Sequence, residues 1–582
     1  MNFIFDNQDK KGLYLVLLIL VVFFAFIPSL TNDYVNWDDG PHFLENACVQ
    51  QPLGAKAIAC AFQQFVNDSY IPLTTLSFQV ERHFWGMNPA VSHAINLALH
   101  VGVTVLVFFI ILKLGCSALV SFITALLFGI HPMRVESVAW VTERKDVLYA
   151  VFYLWAVFAY MQFIRMREHS AGRGSGLKRM LSFALVLGFS GLAVLAKPMA
   201  LTLPFALILI DWFLKRKWTL PLVLEKCLVG AMVWPLTWLT YQTHLGKAME
   251  VSLGQKFLIV IWSATFYVRK MVFPGLQVAV YDFPLPVSIT VFEYQLAVFV
   301  FAFLLAGAYF LRKDRLAVFG IGFYVCMSFY LWGIGTTIGK THIVADRFTY
   351  LSSVGLSLVA AVVWARFWAR IKNKRLERIL YLGISLAVIS IFILKTSTQI
   401  FVWKNGMTLW SHQYEHQPHR EREKVLAGLM DAVVDQMESR NEGGDGLRKD
   451  RCIEDALRQI YPLGEGMDDV SKVKVLNATA RYYYYQGKKE LALRYWKEAL
   501  ALDPDYYWAL YRVAFVAMEE GRQEEALRLL EAAAQRAPAE DRLFQEKVLA
   551  AVTEIASHPD AHEYAQDVFK HMKLNHLHWY GP

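Results

Sequence analysis

Apolar residues occur in blocks up to about residue 394, and short polar or charged stretches separate the blocks. A helix of about 17–25 apolar residues is long enough to cross a bilayer. The pattern predicts about eleven membrane spans, at residues 12–30, 93–112, 117–130, 147–164, 180–196, 199–214, 220–241, 292–311, 316–333, 350–369 and 379–394. The apolar stretch 257–268 is shorter, and it predicts a re-entrant or interfacial helix.

The chain becomes charged and helix-forming beyond residue 410, which predicts a membrane body, 1–410, and a helical tail, 411–582. Within the tail, identical residues recur 34 positions apart: Gly487 and Gly521, Ala492 and Ala526, Ala499 and Ala533, Pro504 and Pro538. This period, with small residues at helix contacts, resembles the tetratricopeptide repeat. Segments 421–475 and 541–572 predict degenerate flanking repeats. The predicted fold class is therefore all-α, a polytopic membrane protein with a C-terminal helical solenoid.

Basic residues concentrate in four loops, 165–179, 215–217, 312–315 and 366–378. With eleven spans these loops lie on one side, and the positive-inside rule makes that side cytoplasmic. The N-terminus is then inside and the tail outside. We expect the first span to be retained, since it lacks a small-residue cleavage site. The net charge of +8 requires no nucleic acid partner, because loops of this kind account for it.

The predicted outer face carries candidate chemistry. Asp38 and Asp39 follow the first span directly, where they form either a polar turn or a proton acceptor beside the membrane. Basic residues in external loops oppose the positive-inside tendency, and they either clamp a phosphate or pair with neighbouring carboxylates. The charged and histidine side chains that we select from these loops are His131, Arg134, Glu136, Arg144, Asp146, Lys197, Arg269, Lys270, His342, Asp346 and Arg347.

Other chemistry receives little support. The chain has no phosphate-binding glycine loop, nucleophile elbow or zinc-protease helix, which argues against ATP hydrolysis and against serine or zinc hydrolases. Side chains of metal-ligating type occur without diagnostic spacing, so a divalent metal is a candidate cofactor with no assigned site; they are Asp38, Asp39, His42, His93 and His342. Cys48 and Cys60 share the first external loop, and their pairing as a disulfide stays open.

Several short motifs together resemble one family. They are Asn36-Trp-Asp-Asp39, Pro72-Leu-Thr-Thr-Leu-Ser77, Phe84-Trp-Gly-Met-Asn-Pro89, residues 93–100, His131-Pro-Met-Arg-Val-Glu-Ser137, Glu143-Arg-Lys-Asp146, Ala196-Lys-Pro198 and Ala345-Asp-Arg-Phe-Thr-Tyr-Leu351. In this order, followed by repeats, they are similar to bacterial relatives of the transmembrane and tetratricopeptide-repeat O-mannosyltransferases, which belong to the GT-C glycosyltransferases. The resemblance implies a GT-C fold, an acidic catalytic residue in the first external loop and a sugar donor on a polyprenyl phosphate.

The resulting hypothesis is an inverting glycosyltransferase of a bacterial inner membrane, with its repeats in the periplasm and a protein hydroxyl as acceptor. Asp38 or Asp39 is the base, and analogy with the Asp-Glu pair of related protein O-mannosyltransferases favours Asp38. The selected Arg and Lys side chains contact the donor phosphate, and the selected acids and histidines orient them or the sugar. The repeats, rich in tyrosine, recruit the acceptor unless those aromatics form the interhelix core. The alternatives are a lipid- or glycan-modifying transferase of the same fold, a transporter of lipid-linked sugars, and an assembly scaffold.

Overall fold

The computed structural model describes residues 10–169, 175–243, 251–281, 284–334, 343–371, 374–416, 425, 428–432, 469–537 and 542–556. Across these ranges the secondary structure is helical, with one isolated β-bridge between Val66 and Ser69 and no longer strand. The all-α prediction is confirmed. The chain divides into two compact units, 1–405 and 406–582.

The helices of the first unit are α1 (Lys11–Phe26), α2 (Ala47–Gln50), α3 (Ala55–Gln63), α4 (Pro72–Trp85), α5 (Pro89–Lys113), α6 (Ala118–Gly129), α7 (Val135–Ala139), α8 (Arg144–His169), α9 (Ser175–Ala196), α10 (Leu203–Phe213), α11 (Leu220–Thr243), α12 (Leu253–Val272), α13 (Phe292–Leu311), α14 (Arg315–Ile334), α15 (Ser353–Arg370) and α16 (Arg375–Val402). Shorter helical turns precede or follow several of them. Those used below are 27–31, 40–44, 132–134, 141–143 and 346–349.

Polar caps explain where several of these helices begin. The side chain of Asn88 accepts a hydrogen bond from the second residue of α5, and Pro89 occupies the first helical position, where no backbone donor is needed. Ser117 caps α6 in the same way. Ser252 and Gln255 form a reciprocal capping box at the start of α12.

The number of membrane spans differs from the sequence prediction. Each of the eleven predicted segments overlaps a helix, but eight of the described helices are long and apolar enough to cross a membrane, or up to nine if the bent pair 118–129 and 132–139 is one span. The prediction of about eleven is therefore not confirmed. Segments 198–213 and 315–328 are apolar but shorter. The spans in α13 and α16 are only 11% buried, so most of their apolar surface faces outward, as lipid contact requires.

Helices α14 and α15 cross at a pair of glycines. A Cβ atom built on Gly320 would lie 2.6 Å from the carbonyl oxygen of Gly355, and one built on Gly355 would lie 2.8 Å from the backbone nitrogen of Tyr324. Small residues at such crossings allow two backbones to approach closely inside a membrane.

Gly355→Leu is therefore expected to destabilise the first unit by about 1–3 kcal/mol or more, because the added side chain meets backbone atoms that cannot move aside. Gly383→Leu in α16 is the matched control, since no atom lies within 4 Å of a Cβ at that position. Thermal unfolding in detergent should separate the two variants; equal melting temperatures would contradict the close packing.

A buried ionic cluster lies near the C-terminal end of α8, opposite the end at which Arg144 lies. Because a helix rises about 1.5 Å per residue, the two ends of α8 are far apart. Glu225 there pairs with Arg167 at 2.8 Å, Lys226 at 3.2 Å and Arg216 at 3.3 Å. Two of the loops predicted to share one side, 165–179 and 215–217, thus approach one another at that end, away from Asp38 and Asp39.

The second unit begins with α17 (Gly406–His416) and continues with α18 (Asp469–Tyr485), α19 (Lys489–Leu502), α20 (Tyr507–Glu519), α21 (Gln523–Arg536) and α22 (Arg542–Ala556). Gly487 and Gly521 both have φ of 75° at the turns within successive helix pairs. Only glycine adopts this left-handed conformation without strain, which explains why both repeats carry it. The repeated alanines are fully buried where the helices meet; they are Ala492, Ala499, Ala526 and Ala533.

The aromatic side chains of the tail pack between its helices. The rings of Tyr507, Trp508 and Tyr511 lie 4.7, 4.8 and 5.5 Å from that of Phe544 in α22. These aromatics therefore contribute to the interhelix core, and α22 extends the solenoid as the flanking prediction for 541–572 expects. Most of the predicted flanking segment 421–475, and residues 557–572, lie outside the described residues.

Candidate active site

The segment that carries Asp38 and Asp39 is hydrogen-bonded to the end of α16, the last helix of the first unit. After α1 and the turn 27–31, the Asn32 side-chain amide donates to the carbonyl oxygens of Ile400 (3.1 Å) and Trp403 (3.0 Å) at the end of α16. The rings of Trp37, Trp140 and Trp403 then stack, with centroids 4.7 Å apart for Trp37 and Trp140, and 5.1 Å for Trp140 and Trp403. These contacts fix the position of the segment from which the two carboxylates extend.

Asp39 is a buried structural acceptor. Its Oδ1 accepts hydrogen bonds from the backbone and the hydroxyl of Thr142, at 2.9 and 2.5 Å, and its Oδ2 accepts from the backbone N–H of Val35 at 2.9 Å. The side chain is 1% exposed. Burial raises the pKa of the Asp39 carboxyl to about 6, although the three hydrogen bonds oppose the shift. Both oxygens are occupied, so this carboxylate has little capacity left for a substrate.

Asp38 is more open. Its Oδ1 accepts a hydrogen bond of 3.0 Å from the side-chain amide of Asn67, and within the described residues no other hydrogen bond to its carboxylate is found. Burial raises the pKa of Asp38 above the ordinary value of 3.8, while the charges of Lys145 and Arg347 act in the opposite direction. Oδ2 is therefore available to accept a proton.

A cluster of alternating charges lies beside Asp38. Glu143 is its centre and pairs with Lys145 at 3.0 Å, with Lys197 at 3.4 Å and with Arg347 at 3.4 Å. These cations come from three separate segments, the start of α8, the end of α9 and the turn 346–349. The fold therefore brings together residues that the sequence spreads over 200 positions, from 145 to 347.

Glu136 and Asp146 complete this charged cluster. Glu136 forms an ion pair with Arg347 and also accepts its backbone N–H at 2.8 Å. Asp146 forms an ion pair with Lys197 and accepts the hydroxyl of Ser137 at 2.9 Å. With the partners of Glu143, four of the sequence-predicted residues, Glu136, Asp146, Lys197 and Arg347, are thus assembled in one site.

A second group of predicted residues adjoins this cluster through the turn 346–349. Asp346 accepts the Tyr281 hydroxyl at 3.0 Å, and Lys270 Nζ lies 3.9 Å from the same carboxylate and hydrogen-bonds to Tyr281. Burial lowers the pKa of Lys270, which Asp346 partly offsets. Arg269, its neighbour in α12, is half-buried.

Arg134 is a buried cation that, unlike those of the charged cluster, forms no ion pair with a described carboxylate. Its side chain is 0% exposed, and Nη2 donates to the Thr349 hydroxyl at 3.0 Å. The guanidinium lies 5.5 Å from the ring centre of Tyr350 and 6.0 Å from that of Phe128. Among the described residues, Nε and Nη1 have no hydrogen-bond partner, and no carboxylate forms an ion pair with it. A buried guanidinium without a counter-ion is costly, so Arg134 is suited to receive an anion.

Two predicted residues lie apart from the charged cluster. Arg144 points into the core behind Asp39, where it pairs with Glu81 and donates to the Asn96 side chain at 3.0 Å. His131 caps the turn 132–134 by accepting the backbone N–H of Met133 at 3.2 Å, and its other ring nitrogen lies 3.1 Å from the Met271 carbonyl oxygen. Both side chains are thus engaged in packing the scaffold. His342 lies outside the described residues.

Sequence reasoning did not select several residues that lie at the site. Glu143 and Lys145 lie in the motif Glu143-Arg-Lys-Asp146, of which the sequence prediction names Arg144 and Asp146. Asn67 and Thr142 carry no local signal, since each acts on a carboxylate far away in the chain. His42, in the turn 40–44, is predicted only as a side chain of metal-ligating type. Both of its ring nitrogens are buried without a hydrogen-bond partner among the described residues, and burial lowers its pKa to about 3, which keeps it neutral.

Cys48 and Cys60 form a disulfide, with their Cα atoms 5.5 Å apart, which answers the question that the sequence left open. The bridge joins α2 to α3 in the segment that follows the first span. As for metals, the described residues contain no group of three or more His, Cys, Asp or Glu side chains that could hold an ion.

The fold and the site define a polytopic, all-helical membrane protein with a tetratricopeptide-repeat unit and a carboxylate and cation site formed by the loops and helix ends at one end of its helices. The tetratricopeptide repeat model matches residues 473–506. That match agrees with the repeat observed in α18 and α19.

The chain is similar to several named proteins. Protein O-mannosyl-transferase TMTC1 of Mus musculus is 38% identical over 102 residues, which is 16% of this chain and 10% of that protein. The TMTC1 protein of Homo sapiens is 33% identical over 155 residues, 25% of this chain and 17% of the relative. Protein O-mannosyl-transferase TMTC3 of Mus musculus is 24% identical over 386 residues, 59% of this chain and 40% of the relative.

These alignments span between a tenth and two fifths of the length of the three relatives. No solved structure matches the chain. The resemblance to the transmembrane and tetratricopeptide-repeat O-mannosyltransferases is confirmed.

Proposed function

We propose that the chain is a membrane glycosyltransferase that moves a sugar from a polyprenyl-phosphate donor to a hydroxyl group of a protein. The observation that carries the proposal is the Asp38 carboxylate, which keeps one oxygen free beside a cluster of cations at the ends of apolar helices. The names of the similar proteins support protein as the acceptor and mannose as the first sugar to test.

The proposed reaction begins with proton transfer to Asp38. Asp38 Oδ2 accepts the proton of the acceptor hydroxyl group, while the oxygen of that hydroxyl group attacks the anomeric carbon of the sugar. The bond from that carbon to the phosphate oxygen breaks on the opposite face, and the phosphate leaves with the electron pair. One displacement inverts the anomeric configuration. Because phosphate is already a stabilised anion, no ATP is needed at this step.

Cations of the site would bind the donor phosphate. Arg134 and Lys270 approach the turn 346–349 from the turn 132–134 and from α12, and Arg347 belongs to the turn itself. Arg134 reaches it with no ion pair to a described carboxylate. A phosphate that binds here would compete with Glu136 and Asp346 for these cations and would be stabilised as the leaving group. The polyprenyl tail would extend along the apolar outer faces of the neighbouring helices.

The proposal also covers location. We place the site and the repeat domain, 411–582, on the periplasmic side of a bacterial inner membrane, with the N-terminus cytoplasmic. The clustering of basic loops at the far end of α8 from the acidic pair supports this orientation, since positive loops favour the cytoplasm. The repeats would recruit the protein acceptor, for which the matched repeat model is the support.

The test is transfer by the purified full chain in liposomes. The probe is radiolabelled mannosyl-phosphoryl-polyprenol, with extracytoplasmic proteins from cells that lack the chain as acceptors. We expect protein-bound label that mild alkali releases, as an O-linked sugar would be, and no label from a nucleotide sugar. Label that enters only lipid or glycan, or no transfer from any polyprenyl-linked sugar, would overturn the proposal.

A further inference from the structure

A tight turn in the first external loop reaches Asp38. Val66 and Ser69 exchange backbone hydrogen bonds of 3.0 and 2.9 Å, and the two residues between them, Asn67 and Asp68, have φ of 46° and 61°. Two successive left-handed residues define a mirror-image turn, which Asn and Asp tolerate better than other non-glycine residues. The turn directs the Asn67 amide to Asp38 Oδ1 at 3.0 Å.

The same turn is fastened to a membrane helix. The Thr243 hydroxyl at the end of α11 donates to the Asp68 carbonyl oxygen at 2.6 Å, and the Tyr70 backbone N–H donates to the Thr240 hydroxyl at 3.3 Å. Val66 is buried beneath the turn. Contacts on both sides thus hold Asn67 in a left-handed backbone conformation. A bulky or β-branched residue would be strained in that conformation.

We propose that Asn67 is a positioning residue, which orients the Asp38 carboxylate so that Oδ2 faces the acceptor hydroxyl. The inference rests on the proposed function. A carboxylate rotates easily about its last bond, and a donor fixed on one oxygen determines where the other points. Asp39 needs no such partner, because Thr142 and Val35 already hold both of its oxygens.

The charged groups around Asp38 cannot replace this hydrogen bond. Lys145, Arg347 and Glu143 act on it through their charges, and Asp39 lies next to it in the chain. Lys145 and Arg347 are engaged with Glu143. Asn67 is therefore the described side chain that fixes the Asp38 carboxylate by a directional contact.

The test compares Asn67→Gly with Asn67→Asp in the full chain. Gly keeps the left-handed turn without strain and removes the amide, so we expect kcat to fall roughly 10- to 100-fold with the KM for the polyprenyl donor changed less than about twofold. Asp keeps the side-chain size but places a second carboxylate against Asp38. Because a like charge favours the protonated form, the acid limb of the kcat profile should move to higher pH.

Asn88→Gly is the matched control, since Asn88 is also exposed in this region but caps α5 and does not touch Asp38. It should keep the parental kcat and pH profile. If Asn67→Gly and Asn67→Asp both behave like the control while Asp38→Asn is inactive, the role of Asn67 is wrong and the base assignment stands. If Asp38→Asn is itself fully active, the proposed base assignment fails instead.

Discussion

Asp38→Asn is expected to lower the rate of sugar transfer about 10²- to 10⁴-fold, the usual loss when a general base is removed, and to leave the protein folded. The carboxylate receives one hydrogen bond, from an exposed amide, and an Asn at this position can still accept it. The melting temperature in detergent should therefore stay close to that of the parent while kcat falls. The assay is transfer from the polyprenyl-linked sugar at saturating donor.

Asp39→Asn is the informative comparison. Its new NH₂ group would face either the Val35 N–H or the Thr142 donors, so one buried hydrogen bond becomes a repulsive contact. We expect Asp39→Asn to lose about 1–3 kcal/mol of stability, and its activity to fall together with that stability. Asp33→Asn is the control for both variants, because Asp33 is an exposed acid in the same segment and has no place in the site. An active Asp38→Asn, or an inactive Asp39→Asn of parental stability, would reverse the assignment.

The pH dependence of the parent protein should also show that the pKa of Asp38 is raised. A base works when it is ionised, so activity should rise as pH increases through the pKa of Asp38. Because burial raises that pKa, the acid limb should lie above the ordinary aspartate value of 3.8. A limb at or below that value would show that the base is a more solvated carboxylate.

Arg144→Met is expected to destabilise the first unit by about 3–5 kcal/mol, the largest effect on stability that we predict, because it leaves Glu81 buried without its counter-ion. Arg144 is fully buried, lies 4.4 Å above the ring of Phe78 and donates to the carbonyl oxygen of Ser92 at 3.1 Å. The same side chain supports the region behind Asp39. Thermal unfolding in detergent measures the change.

The double variant Arg144→Met with Glu81→Gln should recover part of the lost stability, since it removes both buried charges together. Lys374→Met is the control, because Lys374 and Glu377 form an ion pair of 2.8 Å whose side chains are 63% and 47% exposed. Such pairs contribute about 0–1 kcal/mol. A melting temperature for Arg144→Met equal to that of Lys374→Met would disprove the role of the buried pair.

The motif at residues 143–146 shows where sequence reasoning stops. The run of alternating charges predicts one shared site, whereas the structure places its members in different environments. Helix α8 begins at Arg144, and successive residues on a helix point about 100° apart. Arg144 consequently faces the core and Glu81, whereas Lys145 turns to Glu143 at 3.0 Å. The direction depends on the residue at which the helix begins, which charge patterning does not reveal.

Lys197, Glu136 and Arg347 were selected for being charged in external loops, and they do meet. Each lies next to a short turn or a helix end, so its side chain is carried to the common site by helices that traverse the body. His131 was selected by the same criterion, but both of its ring nitrogens lie against backbone atoms. Charge and position in a loop thus indicate candidates, and the partners within reach decide among them.

The sequence by itself determined the helical class, the apolar segments, the repeat with its two turn glycines and the location of the acidic pair after the first span. These features follow from local periodicity and local backbone preference, which neighbouring residues express without help from distant ones. The tertiary structure alone decided that Asp39 is fully bonded and Asp38 is open, that Asn67 touches Asp38, and that Arg144 belongs to the core. The contacts with Asn67, Glu81 and Thr142 on which those facts depend join residues 29 to 103 positions apart, and such contacts exist only after the helices have packed.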